Sequence, residues 1–308
     1  MDNSLISQIK ELKKKKNALI LAHNYQREEI QNLADIVGDS FALSLAALNA
    51  KEDTIVFCGV RFMAETAKIL CPNKKVLLPV YDAGCPMADM ITAEELRKAK
   101  EKYPDAAVVC YVNSYAEVKA ESDVCVTSSN AVKIIKSLKE KQILFIPDKN
   151  LGTYIGEKVP EKEILVWDGF CIVHHLVTAK EVIDKKNKYP NAEVLVHPEC
   201  KKEVLSLADF IGSTSEIINY ASSSDKKEFI IGTEKGVLTS LEKNNKDKKF
   251  YMLSSNLLCR NMKKTGLKEL MECLKEDRYE IKLEEDILIK ARKPLERMIE
   301  IAKRRDYV

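Results

Sequence analysis

Three cysteines recur along this chain at nearly equal intervals, and chemistry has its clearest starting point in them. Cys85 stands in Gly84-Cys85-Pro86-Met87-Ala88, Cys171 in Asp168-Gly169-Phe170-Cys171-Ile172-Val173-His174, and Cys259 in Leu257-Leu258-Cys259-Arg260-Asn261-Met262. The intervals are 86 and 88 residues. Thiolates so far apart do not match the short C-x2-C pairs of structural zinc sites. Three of them would leave one metal position without a protein ligand. A 4Fe–4S cluster with one open iron suits that donor set, because soft thiolates select such clusters and the open iron can act as a Lewis acid. Zinc held by the same three thiolates is the alternative. The other six cysteines, Cys58, Cys71, Cys110, Cys125, Cys200 and Cys273, have no counterpart in phase and read as buried apolar fillers.

Even spacing means little in a chain with nine cysteines unless the intervening sequence repeats as well. It does. Lys102-Tyr103-Pro104-Asp105-Ala106 aligns with Lys188-Tyr189-Pro190-Asn191-Ala192, each opening an apolar run that ends in polar side chains. The first copy of that run is Asn17 to Tyr25. Ala34-Asp35, Ser122-Asp123 and Ala208-Asp209 also correspond, with a hydroxyl five residues after each Asp, at Ser40, Ser128 and Thr214. Further apolar runs begin at Ile55, Ile143 and Phe229, and a last set at Val76, Ile164 and Phe250 precedes the three cysteines.

Each unit therefore holds four β-like runs separated by helical patterns. Thr92 and Thr178, with Glu95 and Glu181 three residues on, open helices in phase through capping boxes. Short apolar strands alternating with helices of about ten residues give βαβ units, parallel sheets and helices on both faces. The expectation is an α/β protein of three homologous three-layer αβα domains about a pseudo-threefold axis. The units are 1–89, 90–175 and 176–265, followed by C-terminal helices in 266–308, one of which could pack back on the first repeat. The stretch from Leu283 to Tyr307 reads as a helix interrupted or kinked at Pro294.

Ligands of open α/β sheets bind beyond the carboxyl ends of the strands. First strands end in His23 and Tyr25, in Tyr111 and Asn113, and in His197 and Glu199; second strands end in Ser40, Ser128 and Thr214, each placed to cap the next helix. If the three units face inward, three thiols meet at one pole. Three hydroxyls at helix N-termini then suit carboxylate or phosphate. Read singly, each of these residues is a structural His, a plain cap or a filler. Their joint recurrence is what points to a site.

The net charge of +3, with both signs interspersed, lacks the clustered basic face of a nucleic-acid binder. The Lys13 to Lys16 run and Lys303-Arg304-Arg305 read as solvated helix ends. No apolar run is long enough to span a membrane and the N-terminus has no signal-like apolar core, so a cytoplasmic protein with free thiols is expected.

At these residues the sequence resembles the quinolinate synthase family, 4Fe–4S enzymes of de novo NAD biosynthesis. The resemblance is carried by Ala22-His23-Asn24-Tyr25-Gln26, Gly38-Asp39-Ser40, Gly84-Cys85-Pro86-Met87-Ala88, Tyr111-Val112-Asn113-Ser114, Val126-Thr127-Ser128-Ser129-Asn130, Pro147-Asp148-Lys149-Asn150-Leu151-Gly152, His197-Pro198-Glu199-Cys200 and Met262-Lys263-Lys264-Thr265. Glu216, where a small residue is expected, and Arg260, where Pro is expected, are departures. The resemblance implies condensation of iminoaspartate, supplied by L-aspartate oxidase, with dihydroxyacetone phosphate, without net redox change. It implies that Cys85, Cys171 and Cys259 hold the cluster and that His23, Ser40, Tyr111, Asn113, Ser128 and Thr214 receive the substrate. His197 and Glu199 would flank the reacting carbon, with Glu199 a candidate base and Tyr25 moving a proton during phosphate loss; Tyr111 completes the catalytic set. His174 would face the pocket and His175 point away. Another three-cysteine hydro-lyase, a non-catalytic metal or anion sensor and a structural zinc protein are the rival readings.

Overall fold

A computed structural model describes residues 3–304 of the chain. Arg305 to Tyr307, the end of the expected last helix and of the terminal basic run, lie outside the described residues.

The repeat resolves into three four-stranded sheets. The first unit runs α1 (Asn3–Lys15), β1 (Ala18–His23), α2 (Glu28–Gln31), β2 (Ile36–Gly38), α3 (Ser40–Leu48), β3 (Thr54–Cys58), α4 (Arg61–Leu70) and β4 (Lys75–Leu77). The second runs α5 (Ala93–Lys102), β5 (Ala107–Tyr111), α6 (Ala116–Ala120), β6 (Val124–Val126), α7 (Ala131–Ser137), β7 (Gln142–Ile146), α8 (Lys149–Lys158), β8 (Glu163–Val166) and the single turn α9 (Ile172–His175). The third runs α10 (Ala179–Lys188), β9 (Glu193–Val196), α11 (Lys202–Leu205), β10 (Phe210–Ile211), α12 (Thr214–Ser223), β11 (Glu228–Gly232), α13 (Val237–Asn244) and β12 (Lys249–Met252). α14 (Leu267–Glu276) and α15 (Glu285–Lys303) close the chain.

All three sheets are parallel and share one strand order, β2-β1-β3-β4, β6-β5-β7-β8 and β10-β9-β11-β12. In each, the chain leaves the first strand to one side and returns on the other. That reversal opens a crevice at the carboxyl end of β1, β5 and β9. The aspartate conserved in phase explains how such short strands keep register. Asp35, Asp123 and Asp209 each accept the backbone N–H of the first strand, at Ile20, Val108 and Val194, over 2.7–2.8 Å. Their own N–H groups donate back to the same three residues' carbonyls. The recurrent Asp is thus structural, stitching the start of each second strand to the first.

The central strands are buried along their length, as strands covered by helices on both faces must be. One apolar core joins the first two units, from Leu21, Phe57 and Val76 to Val109, Ile135 and Phe145. The helix α15 contributes Leu295, Met298 and Ile301 to it and packs against α4, α6, α7 and β6. Of the interruption or kink expected at Pro294, there is no interruption: the helix is continuous through this buried residue. α14 packs against α1, and the segment after it pairs antiparallel with the β4 edge, where Leu78 N–H donates to Tyr279 and Ile281 N–H to Val76. An edge strand that would otherwise expose unpaired backbone is thereby covered. Both predicted capping boxes are present, at Thr92–Glu95 and Thr178–Glu181.

Candidate active site

The carboxyl ends of the three sheets converge on one cavity, which is what an approximate threefold axis produces. Every residue expected to bind substrate or metal or to act in catalysis lines it: His23, Tyr25, Ser40, Cys85, Tyr111, Asn113, Ser128, Cys171, His174, His197, Glu199, Thr214 and Cys259. His175 turns outward to Asn150, whose amide lies 3.0 Å from its Nδ1.

One expectation needs correction. Ser40 and Thr214 do not cap their helices; Asp39 accepts the N–H of Ala42 and Ser213 that of Glu216, so the hydroxyls that follow occupy the first helical turn. The α7 N-terminus is Asn130, not Ser128. Asp39 and Ser213 take the capping role for α3 and α12, Ser128 lies two residues ahead of the α7 N-terminus, and all three hydroxyl residues line the cavity. Glu216 closes a capping box on Ser213 and does not line the cavity, which accounts for its presence there. Arg260 is exposed.

The histidines at the ends of β1 and β9 are held alike. Tyr25 N–H donates to His23 Nδ1 and Glu199 N–H to His197 Nδ1, over 3.2 and 3.3 Å. With Nδ1 accepting, the ring proton sits on Nε2. Burial lowers both imidazoles, His23 to about 3 with help from Lys263 and His197 to about 4, so both are neutral at neutral pH.

Glu199 is the hub. Its Oε1 accepts from the Tyr111 hydroxyl at 2.8 Å, and its Oε2 lies 2.7 Å from His174 Nδ1. Burial pushes this carboxyl up, but the His197 and His174 imidazoles and the bond from Tyr111 more than offset it and hold Glu199 below the usual carboxylate range. The network extends through His174 Nε2 to Thr233 Oγ1 at 3.0 Å, and from Thr233 to Tyr25 at 2.6 Å. The Tyr25 hydroxyl also meets Thr214 at 2.8 Å. Burial, reinforced by Glu199, raises Tyr25 and Tyr111 well above the ordinary phenol value, so both keep their protons. Opposite them, the buried Asn113 Oδ1 has no hydrogen-bond partner in the chain. Such a group facing a cavity awaits a ligand donor.

The three thiols share a second pattern. In each, the backbone N–H three positions on favours the ionised sulfur: that of Ala88 for Cys85, His174 for Cys171 and Met262 for Cys259. Burial pushes all three up, Cys85 to about 12, so without a cation beside them they remain thiols. Partly buried sulfurs that line one cavity, each with a backbone N–H favouring its thiolate, suit a thiolate-ligated metal centre, since such polar groups beside sulfur tune these centres. The cation supplies the charge that burial withholds. The donor set fits a cluster.

Sequence reasoning missed the residues that hold the cysteine loops. Asp148 Oδ2 accepts the Cys171 N–H and Glu234 Oε1 the Cys259 N–H, each at 3.1 Å, while Cys85 N–H meets the Tyr115 hydroxyl at 3.4 Å. Asp148 and Glu234 are fully buried and stand one repeat apart, a signal present in the sequence. Glu234 also pairs with Lys263 at 3.0 Å, and Lys263 donates to the Tyr25 carbonyl, tying the third loop to the end of β1.

Fold and cavity together define a class: triplicated α/β proteins that receive a small polar ligand where three sheets meet, beside three thiols able to take a metal. The family follows from comparison with known proteins. The family model described as "Quinolinate synthetase A protein" matches residues 7–300, and this chain belongs to that family. It is 57% identical over 295 residues to the quinolinate synthase of Caldicellulosiruptor saccharolyticus, covering 96% of this chain and 97% of that protein. Identity to the quinolinate synthase of Alkaliphilus metalliredigens is 56% over 300 residues, covering 97% and 99%. To that of Clostridioides difficile it is 55% over 302 residues, covering 98% and 99%.

Proposed function

We propose that the chain is a quinolinate synthase, condensing iminoaspartate with dihydroxyacetone phosphate to give quinolinate, phosphate and water. The observation that carries this reading is the meeting of Cys85, Cys171 and Cys259, one from each unit, with Glu199, the imidazoles and the phenols in one cavity. In this reading the three cysteines hold a 4Fe–4S cluster, whose open iron supplies Lewis acidity toward a substrate oxygen or nitrogen.

The remaining chemistry is assigned to the chain's own side chains. Asn113 Oδ1 accepts from the substrate nitrogen or a hydroxyl. Ser40, Ser128 and Thr214, near helix N-termini, bind its carboxylates and phosphate. His23 and His197 donate from Nε2 to anionic oxygens without bringing charge. Glu199, kept anionic, removes the carbon-bound proton; general bases of this kind contribute roughly 10²–10⁴ in rate. Tyr25, protonated and joined to Thr214 and Thr233, delivers a proton to the departing oxygen, and Tyr111 orients Glu199.

Iminoaspartate is taken to arrive from L-aspartate oxidase, and residues 1–89, 90–175 and 176–265 are proposed as the three units, with 266–308 as a C-terminal extension. A reducing, cytoplasmic setting accords with nine free cysteines, and no described helix is long and apolar enough to cross a membrane. The test is anaerobic iron and sulfide analysis with a quinolinate assay, on wild type beside Cys85→Ser, Cys171→Ser and Cys259→Ser. About four irons per chain are expected in the wild type, with loss of cluster or activity in each variant. A full cluster that yields no quinolinate from the two substrates would overturn the reading.

A further inference from the structure

We propose that Cys171, His174 and Glu199 form a mononuclear site for a zinc-class divalent cation when the chain lacks its cluster. This site shares only Cys171 with the three-cysteine centre. Its ligand atoms, one sulfur, one imidazole nitrogen and one carboxylate oxygen, all lie within 4.8 Å of one another. His174 Nδ1 is 3.3 Å from Cys171 Sγ and 2.7 Å from Glu199 Oε2.

Zinc binds thiolate at about 2.3 Å and imidazole or carboxylate at about 2.0–2.2 Å, which sets tetrahedral neighbours roughly 3.3–3.7 Å apart. The sulfur–nitrogen separation already has that value. The nitrogen–oxygen separation needs to open by well under 1 Å, as a cation replaces the proton shared between His174 and Glu199, and the sulfur–oxygen separation, within 4.8 Å, needs to close by about 1 Å as the carboxylate turns toward the sulfur.

The arrangement is set by local structure. Cys171 caps α9 and His174 lies three residues on, so one helical turn presents both to the same side. Glu199 comes from the end of β9, across the cavity.

Each ligand also has a supporting partner of the kind metal ligands need to hold orientation. His174 Nε2 lies 3.0 Å from Thr233 Oγ1, leaving Nδ1 free to coordinate. The second oxygen of Glu199 accepts from Tyr111, and Cys171 N–H donates to Asp148. His174 and Glu199 are 1% and 3% exposed, so a bound ion would be shielded from bulk water. Three protein ligands leave a fourth position toward the cavity, the pattern of an open rather than a closed zinc site. Because Cys171 cannot serve two centres, zinc bound here would obstruct cluster assembly.

The test uses the full-length chain, prepared anaerobically without iron and titrated with Co²⁺, then Zn²⁺. One Co²⁺ per chain is expected, with a single-thiolate charge-transfer band and tetrahedral ligand-field bands, displaced by one Zn²⁺. His174→Gln, Glu199→Gln and Cys171→Ser should each weaken Co²⁺ binding about tenfold or more, whereas Cys85→Ser and Cys259→Ser should leave affinity and spectrum unchanged. Circular dichroism confirms that each variant is folded. Weakening by Cys85→Ser or Cys259→Ser as great as that by Cys171→Ser would mean that the three thiols hold the ion, and would overturn the proposal. So would a His174→Gln chain that binds Co²⁺ like wild type. As a second arm, one equivalent of Zn²⁺ should block reconstitution with iron and sulfide in wild type but not in His174→Gln; blockage in both would equally refute the shared site. These readouts need no turnover, so they stand or fall separately from the condensation reaction.

Discussion

Replacing Asp148 by Asn tests whether a buried carboxylate positions a cluster-ligand loop. Asp148 is 0% exposed; Oδ1 accepts the Leu151 N–H at 2.8 Å and Oδ2 the Cys171 N–H at 3.1 Å. Asn is nearly isosteric but has one acceptor oxygen, so its amide N–H₂ must face a backbone donor on one side. A hydrogen bond to a charged group contributes about 1.5–3 kcal/mol, and a buried N–H left unpaired costs about 1–3 kcal/mol. Against that loss stands the relief of no longer burying a charge, since burial, then Glu199, pushes the Asp148 carboxyl well up. The net expectation is about 2 kcal/mol of lost stability, read as a lower urea midpoint in the cluster-free chain. The loss should be accompanied by at least a halving of retained iron after reconstitution, because Cys171 is no longer held. Asp209→Asn is the control: Asp209 accepts the Val194 N–H in the same way but touches no cysteine loop, so it should lower the midpoint and spare the iron. An Asp148→Asn chain with wild-type iron content, or an Asp209→Asn chain that loses iron equally, would refute the positioning role.

Three further outcomes follow from the geometry. Glu199→Gln should lower kcat roughly 10²–10⁴-fold while iron and sulfide per chain stay at wild-type levels; cluster loss would instead make Glu199 structural. His23, lowered to about 3 by burial and then Lys263, stabilises the fold only in its neutral form. The unfolded chain takes up the proton first as pH falls below about 6.5, so this stability is complete at neutral pH and is lost between about 6.5 and 3. At pH 5 the loss from His23 is about 2 kcal/mol, and His23→Gln should flatten the urea midpoint between pH 7.5 and 5; an unchanged slope would disprove it. Gly236→Ala would put a methyl 2.7 Å from Tyr25 Cα and 2.8 Å from the Asn24 carbonyl. The backbone carrying Tyr25 must then shift, and a shift approaching 1 Å should cost about 10²-fold in rate with the cluster intact, measured by steady-state turnover beside iron content.

The architecture was legible because a triplicated pattern states everything three times. Three apolar runs in phase specify strands far better than one, and Thr92 and Thr178 fix helix starts by a mechanism that acts within four residues. The site was legible where a polar residue recurred at a strand end. It was not legible where the active element was a partner supplied from elsewhere. Thr233 joins Tyr25 to His174 from the end of β11, Tyr115 reaches the Cys85 loop from the second unit, and Lys263 grips the Tyr25 carbonyl from the end of the third. None of these long-range contacts leaves a local signature. The capping expectation failed for a different reason: for Ser40 and Thr214 a hydroxyl pattern does not distinguish a cap from its neighbour when Asp39 or Ser213 stands one position before, and for Ser128 the helix begins two residues later, behind Asn130.

The same comparison of copies explains why a symmetric skeleton can carry an asymmetric reaction. Where all three units agree, as at Asp35, Asp123 and Asp209 or in the three cysteines themselves, the shared residue serves folding or the common centre. Where they differ, the cavity acquires direction. His23, Tyr111 and His197 stand at comparable strand ends with unlike chemistry, and Glu199 faces Tyr111 across a unit boundary. The loop anchors differ as well. Two cysteine loops are held by buried carboxylates, but the first unit carries Val60 at the head of α4, where its sisters carry Asp148 or Glu234 near the corresponding helices. Cys85 N–H donates instead, over a longer distance, to the Tyr115 phenol oxygen, whose own hydroxyl donates to Asp89 at 2.9 Å. At 3.4 Å against 3.1 Å, the Cys85 bond is the weakest of the three loop bonds, since hydrogen bonds weaken as they lengthen. The Cys85 loop is therefore the least firmly held of the three, and on stepwise removal of metal its sulfur should be the first to react with a thiol-specific alkylating agent, ahead of Cys171 and Cys259.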